Sequence, residues 1–71
     1  MSLAMIENGR KVRVICVDGG RCLQARLAQM GLIPGTEIEM IRNSPSGPFV
    51  IGVMGSRLIL GRGMAHAIIV A

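Results

Sequence analysis

Hydrophobic residues recur along this chain in short runs with a period of two, and nearly every run stops at glycine or proline. Lys11-Val12-Arg13-Val14-Ile15-Cys16-Val17 is the first such run. Val12, Val14 and Cys16 share one face, while Lys11 and Arg13 take the other until Ile15 and Val17 make that face apolar as well. Alternation with β-branched residues predicts a strand whose start is half exposed. Asp18-Gly19-Gly20 ends it, because paired glycines admit positive φ and break an extended run. Further strands are predicted over residues 37–42, with Ile38 and Met40 inward and Glu37 and Glu39 outward, over 49–54, 57–60 and 68–70. Gly55-Ser56 reads as the tight connection of a hairpin, residues 43–48 as a loop, and residues 64–67 as a single helical turn.

Residues 21–30 change period. Leu23, Leu27 and Met30 recur at i, i+4 and i+7, which predicts a short amphipathic helix, and Ala25 and Ala28 favour it by propensity. Gly31 suits the left-handed position that closes a helix, with Leu32 as the apolar contact beyond it. Three turns do not stand alone in water, so the helix must lie on the sheet. Ile33-Pro34-Gly35-Thr36 has the proline and glycine of a type II turn.

Strands with apolar residues on both faces are best buried by curling the sheet, which also limits exposed edges. The expected fold is therefore mainly β: five strands in a small, partly closed barrel, with one short helix after the first strand. At 71 residues the chain is one domain, residues 1–71, and residues 1–5 read as a poorly ordered tail, part of which need not be native.

Composition removes several functions. The longest charge-free stretch, residues 43–56, contains two prolines and three glycines and is too short to cross a membrane, so no membrane insertion is expected. No cationic, apolar and small-residue succession of an export signal opens the chain, and two cysteines do not make a disulfide framework; the expected location is the cytoplasm. A net charge of +4 favours acidic surfaces weakly, whereas one aromatic residue offers no stacking platform for single strands.

Catalytic chemistry has little to work with. His66 has no neighbour to orient it, and Ser2, Ser44, Ser46 and Ser56 fall in terminal or turn contexts. Gly19-Gly20 lacks the lysine of a phosphate loop, and Gly61-x-Gly63 is equally short of a dinucleotide motif. Cys16, Cys22 and His66 are weak candidates for a metal, since a structural zinc site needs four ligands; the cysteines read as small packing residues, Cys16 inward with Val12 and Val14 and Cys22 beside Leu23, with a redox pair as the other alternative. Glu37 and Glu39 share a face and read as solvated carboxylates, a weak surface cation site being the rival reading. Arg10, Lys11 and Arg13 form a basic edge with Arg42 or Arg57, whose phosphate contacts would be salt-sensitive and non-specific. The feature a monomer explains least is the apolar excess: Ile15, Val17, Ile41, Val50, Met54, Leu58, Leu60 and Met64 either crowd a tiny core or supply a docking patch.

These motifs, in this order, resemble the FeoA family. The resemblance is carried by Val14-Ile15-Cys16-Val17 with Gly19-Gly20, by Arg26-Leu27-Ala28-Gln29-Met30-Gly31-Leu32-Ile33-Pro34-Gly35-Thr36, and by residues 49–60 with Ala67-Ile68-Ile69-Val70. It covers the chain from Ile6 to its last residue; Gly61-Arg62-Gly63 departs from a usually more helix-friendly polar stretch. It implies an SH3-like five-stranded barrel with a helix inserted in its first long loop, a domain related to the one that closes the iron- and manganese-dependent repressors. It also implies a small cytosolic accessory to the ferrous iron transporter FeoB, a membrane protein with a cytosolic G domain: a protein-interaction domain and no enzyme; from the residues themselves no cofactor and no intrinsic iron site are expected. Docking is expected at the helix and its following turn, with Arg21, Gln24, Arg26 and Gln29 as polar contacts and Met30, Leu32 and Ile33 as anchors unless they belong to the core. The expected partner is the cytosolic domain of a FeoB-type transporter, and a homo-oligomer is open. The rival functions are a nucleic-acid-binding small barrel, which the dispersed arginines disfavour, and a metal-responsive regulatory domain.

Overall fold

In the computed structural model, which describes residues 1–44 and 46–71, the chain runs from a 3-10 turn (Leu3–Met5) through β1 (Lys11–Val17), α1 (Arg21–Gln29), β2 (Glu37–Asn43), β3 (Phe49–Val53), β4 (Ser56–Leu60), α2 (Arg62–Ala67) and β5 (Ile68–Val70). The five strands form one antiparallel sheet in the order β4-β3-β2-β1-β5. The mainly β class and the helix after the first strand stand as expected. The barrel does not close: β4 and β5 lie at opposite ends of the order and do not pair. The outer edge of β5 is occupied instead by the N-terminal segment, through a Ser2–Ile69 bridge and a bond from Val70 N–H to Met1 O (2.8 Å).

That segment corrects the expectation of a poorly ordered tail. Leu3 is 0% exposed and Ile6 is buried with it, so this segment contributes two side chains to the core while Met1 and Met5 stay exposed. Asn43, at the end of β2, straps it down: its Nδ2 donates to Ala4 O (3.1 Å) and Ile6 O (2.7 Å), and its backbone N–H donates to Asn8 Oδ1 (2.5 Å). Pairing two backbone carbonyls with one amide satisfies acceptors that burial would otherwise strand.

Two β-bulges re-aim the sheet. Val14 pairs with Val70 and Cys16 with Ile69, leaving Ile15 as an extra residue in β1; Met40 pairs with Ile51 and Arg42 with Val50, leaving Ile41 extra in β2. An inserted residue reverses which parity faces the core. Val12 and Val14 are therefore buried, but after the bulge it is Val17 that packs on the core, while Cys16 is exposed. The inward placement expected for Cys16 is thus corrected. Elsewhere in the sheet the alternation holds, with Ile38, Met40, Phe49, Ile51, Val53 and Leu60 buried.

Helix α1 ends as expected. Gly31 has φ +89°, Gly31 N–H donates to Ala28 O (3.0 Å) and Leu32 N–H to Leu27 O (2.9 Å), the paired bonds of a Schellman cap. The turn that follows has Gly35 at φ +94° and a bond from Thr36 N–H to Ile33 O (3.1 Å), as a type II turn requires. It is pinned to β1 through Val14, whose N–H donates to Thr36 O and whose carbonyl accepts from Gly35.

Other local expectations change. Gly19 and Gly20 do not use positive φ; Gly20 is the N-cap of α1, and a Cβ on Gly19 would lie 2.7 Å from Leu23 Cδ2. The β3–β4 hairpin turns on Met54-Gly55 rather than Gly55-Ser56, with φ 51° and 82°. Gly61-Arg62-Gly63 does not break the chain: Gly61 caps α2, which runs through Arg62 and Gly63. The Arg62 guanidinium lies 5.4 Å from the Phe49 ring centroid and its Nη2 donates to Ser44 O (2.9 Å). The cation thereby fastens α2 over the end of β2 and β3. Within the loop expected over residues 43–48, Asn43 belongs to β2 and Pro45 lies outside the described residues.

Candidate functional site

The bulge at Ile15 has a direct effect on the surface. By turning Cys16 outward beside Val17, it opens a groove between β1 and α1 that is completed by Gln24, Ala28, Leu32, Ile33 and Pro34, with a volume of about 260 Å³. Gln24 forms a wall fixed from within: its Nε2 donates to Gly19 O (3.0 Å) and, more weakly, to Val17 O (3.4 Å). The rigid turn at Pro34-Gly35 sets the opposite lip, where Ile33 is 50% exposed. The walls are mainly apolar, so the groove suits a hydrophobic side chain better than a charged substrate.

Three of the residues expected to bind a partner, Gln24, Leu32 and Ile33, meet at this groove. Leu32 is 1% exposed and forms its floor as part of the core, the alternative left open for it beside a role as anchor. Met30 is half-buried and packs on the core, while Arg21, Arg26 and Gln29 are exposed along α1 outside the groove. Ala28 and Pro34 were not among the expected binding residues, while Val17 was named only within the apolar excess and Cys16 only as a packing residue or weak metal candidate. The signal that could have found them was the pair of apolar residues, Ile15 and Val17, on the face that alternation assigned to solvent.

The metal candidates are not brought together. Cys16 lies in the groove, Cys22 is exposed on α1 and His66 is exposed on α2; both thiols are free. The expected packing role of Cys22 is corrected along with that of Cys16, since Leu23 rather than Cys22 reaches the core. Among the described residues no three of His, Cys, Asp and Glu are placed to hold one ion.

The outer face of the sheet carries a second depression, of about 300 Å³, floored by Gly52 and bordered by Lys11, Glu37, Glu39, Met54 and Arg57. Its cross-strand register sets Lys11 opposite Glu39 and Arg13 opposite Glu37. Carboxylates therefore interleave the basic edge, which weakens its attraction for a phosphate backbone. Met64 is half-buried against the core; the apolar side chains left most open are Met54 and Ile59 with Met5, not Met64. Among the described residues no helix is long and apolar enough to cross a membrane.

Comparison with known proteins identifies the fold. The FeoA domain model matches residues 1–71. A protein of Methanocaldococcus jannaschii, named provisionally as Fe(2+) transport protein A, is 38% identical over 68 residues, covering 96% of this chain and 82% of the relative. A crystal structure described as the iron uptake regulatory protein FeoA superposes with a TM-score of 0.93 at 34% identity, covering 99% of this chain and 93% of the other. The FeoA of Stenotrophomonas maltophilia, described as a procaryotic SH3 domain protein, has a TM-score of 0.87 at 22% identity over 100% of this chain and 89% of the other, so the fold is SH3-like although the sheet stays open. With a family model spanning its full length and a relative above a third identical, the chain belongs to the FeoA family.

Proposed function

We propose that this protein serves ferrous iron transport as a non-enzymatic interaction domain, docking on the cytosolic part of a FeoB-type transporter. Family membership and the named transport role of the Methanocaldococcus jannaschii relative support the iron system. The observation that carries docking is the groove between β1 and α1: a preformed, mainly apolar slot with a half-exposed isoleucine lip, set beside a helix that shows Arg21, Arg26 and Gln29 to solvent. An apolar side chain of the partner fills the slot, and acidic groups around it meet the two arginines. Such an arrangement gives a central anchor with a polar rim, the anatomy of a protein interface. Docking biases the transporter only through a difference in affinity between its states, so the nucleotide-bound forms must bind with different strength.

The test is a titration of the chain against the transporter's cytosolic domain in each nucleotide state. Ala28→Arg fills the groove from an exposed helix position and leaves the core untouched. It should weaken binding by about tenfold or more, a loss of about 1.4 kcal/mol. The reading fails if the unsubstituted chain does not bind at concentrations on the order of tens of micromolar in either state. It fails equally if Ala28→Arg binds as well as the original.

A further inference from the structure

A two-residue hairpin turn with positive φ at both central positions is built for Asn-Gly or Gly-Gly. Here the first position is Met54, at φ 51°. A left-handed methionine is strained, and this one regains little by packing because it is 85% exposed. Folding therefore does not account for its side chain. An observed backbone outlier of this kind points to use elsewhere.

Its surroundings continue the pattern. Ile59 on β4 is 70% exposed and Ile41, the bulge residue of β2, is 37% exposed, both on the outer face of the sheet. The charges of this half are also unlike those of the other. Lys11 and Arg13 each have a carboxylate directly opposite them; Arg42 stands opposite Val50, and Arg57 stands opposite Gly52, which has no side chain and is itself paired with Glu39. On this face Glu37 and Glu39 stand against four cations, Lys11, Arg13, Arg42 and Arg57, so the β2–β4 half combines protruding apolar side chains with a net positive charge.

We propose that this half of the sheet is a peripheral docking surface for an anionic lipid bilayer, with Met54 and Ile59 entering the interface and Arg42 and Arg57 meeting lipid phosphates. A protein partner would need a cavity matched to each protruding side chain, while a bilayer yields to any. Apolar insertion and basic attraction together form the two-signal arrangement that reversible membrane attachment requires, since either alone is marginal. The surface is separate from the groove at α1, so the proposal does not depend on the docking reading above.

The experiment is co-sedimentation of the full chain with vesicles of mixed phosphatidylglycerol and phosphatidylcholine, against phosphatidylcholine alone. Partitioning is expected on the anionic vesicles only, and is expected to fall as salt rises. Each arginine near an anionic surface is worth about fivefold, so R42Q/R57Q should weaken partitioning about 25-fold. Met54→Asn should weaken it about tenfold, since a methionine leaves the interface, while its thermal midpoint is no lower than that of the original chain. This variant separates a docking role from a structural one, because the turn favours asparagine. Equal partitioning on both vesicle types, or an unchanged Met54→Asn, overturns the proposal. So does loss of transporter-domain binding in Met54→Asn without any vesicle binding, which would make the surface a protein site. A doubled solution mass that Met54→Asn abolishes, with vesicles ignored, would make it a self-association surface and also overturns the proposal.

Discussion

Replacing Met54 by asparagine should stabilise the fold, and the size of the gain follows from the hairpin geometry. At φ 51° an L side chain brings its Cβ against the following carbonyl, a strain of roughly 1–2 kcal/mol that asparagine relieves in part by hydrogen bonding locally. Against this stands the packing lost with the methionine. Full burial of such a side chain is worth about 1.5–3 kcal/mol, and with Met54 85% exposed only a few tenths of that is at stake. The net gain is about 1 kcal/mol, which in a domain of this size raises the thermal midpoint by about 4–8 °C. Far-UV circular dichroism is the assay, because one phenylalanine and no tryptophan or tyrosine leave intrinsic fluorescence blind. Met54→Ala is the control: it keeps the left-handed strain, loses the side chain and should melt slightly lower than the original. A Met54→Asn protein that melts at or below the original temperature would refute the strain argument, and with it the claim that the methionine is held there for something other than folding.

Two further outcomes test other parts of the structure. Asn43→Ala removes the donor to Ala4 O and Ile6 O and should destabilise by about 1–3 kcal/mol, with amide exchange quickened first at Met5 and Ile6; unchanged exchange there would mean that the strap does not hold the chain end. Cys16 and Cys22 should both be alkylated by iodoacetamide in the native protein without prior unfolding, and an equimolar addition of zinc should protect neither; protection of either thiol would reveal a metal site that the described residues do not assemble.

The elements legible in the amino-acid order are those whose causes are local. The helix over α1, its Gly31 cap and the Pro34-Gly35 turn each depend on a handful of adjacent residues whose backbone preferences agree with the final fold. Their legibility carried part of the candidate site, since Gln24 and Ile33 sit on the helix and turn that frame the groove. The other half was hidden. Cys16 reaches the groove only because Ile15 is left over when β1 pairs with β5, a strand some fifty positions away, and no local preference encodes that register.

Sequence by itself determined the class of fold, the order of strands and helix, and the family, because alternation, glycine punctuation and the run from Arg26 to Thr36 are properties of neighbours. Tertiary structure alone decided the surface where alternation fails, at the chain end and past the bulges. It drew Leu3 and Ile6 into the core, left the sheet open by giving the edge of β5 to the chain's own beginning, and turned Cys16 and Arg42 outward past the bulges. The reason is that burial and strand register are settled by segments far apart in the chain. A short core with two-sided strands has several ways to share its apolar residues, and long-range packing selects among them.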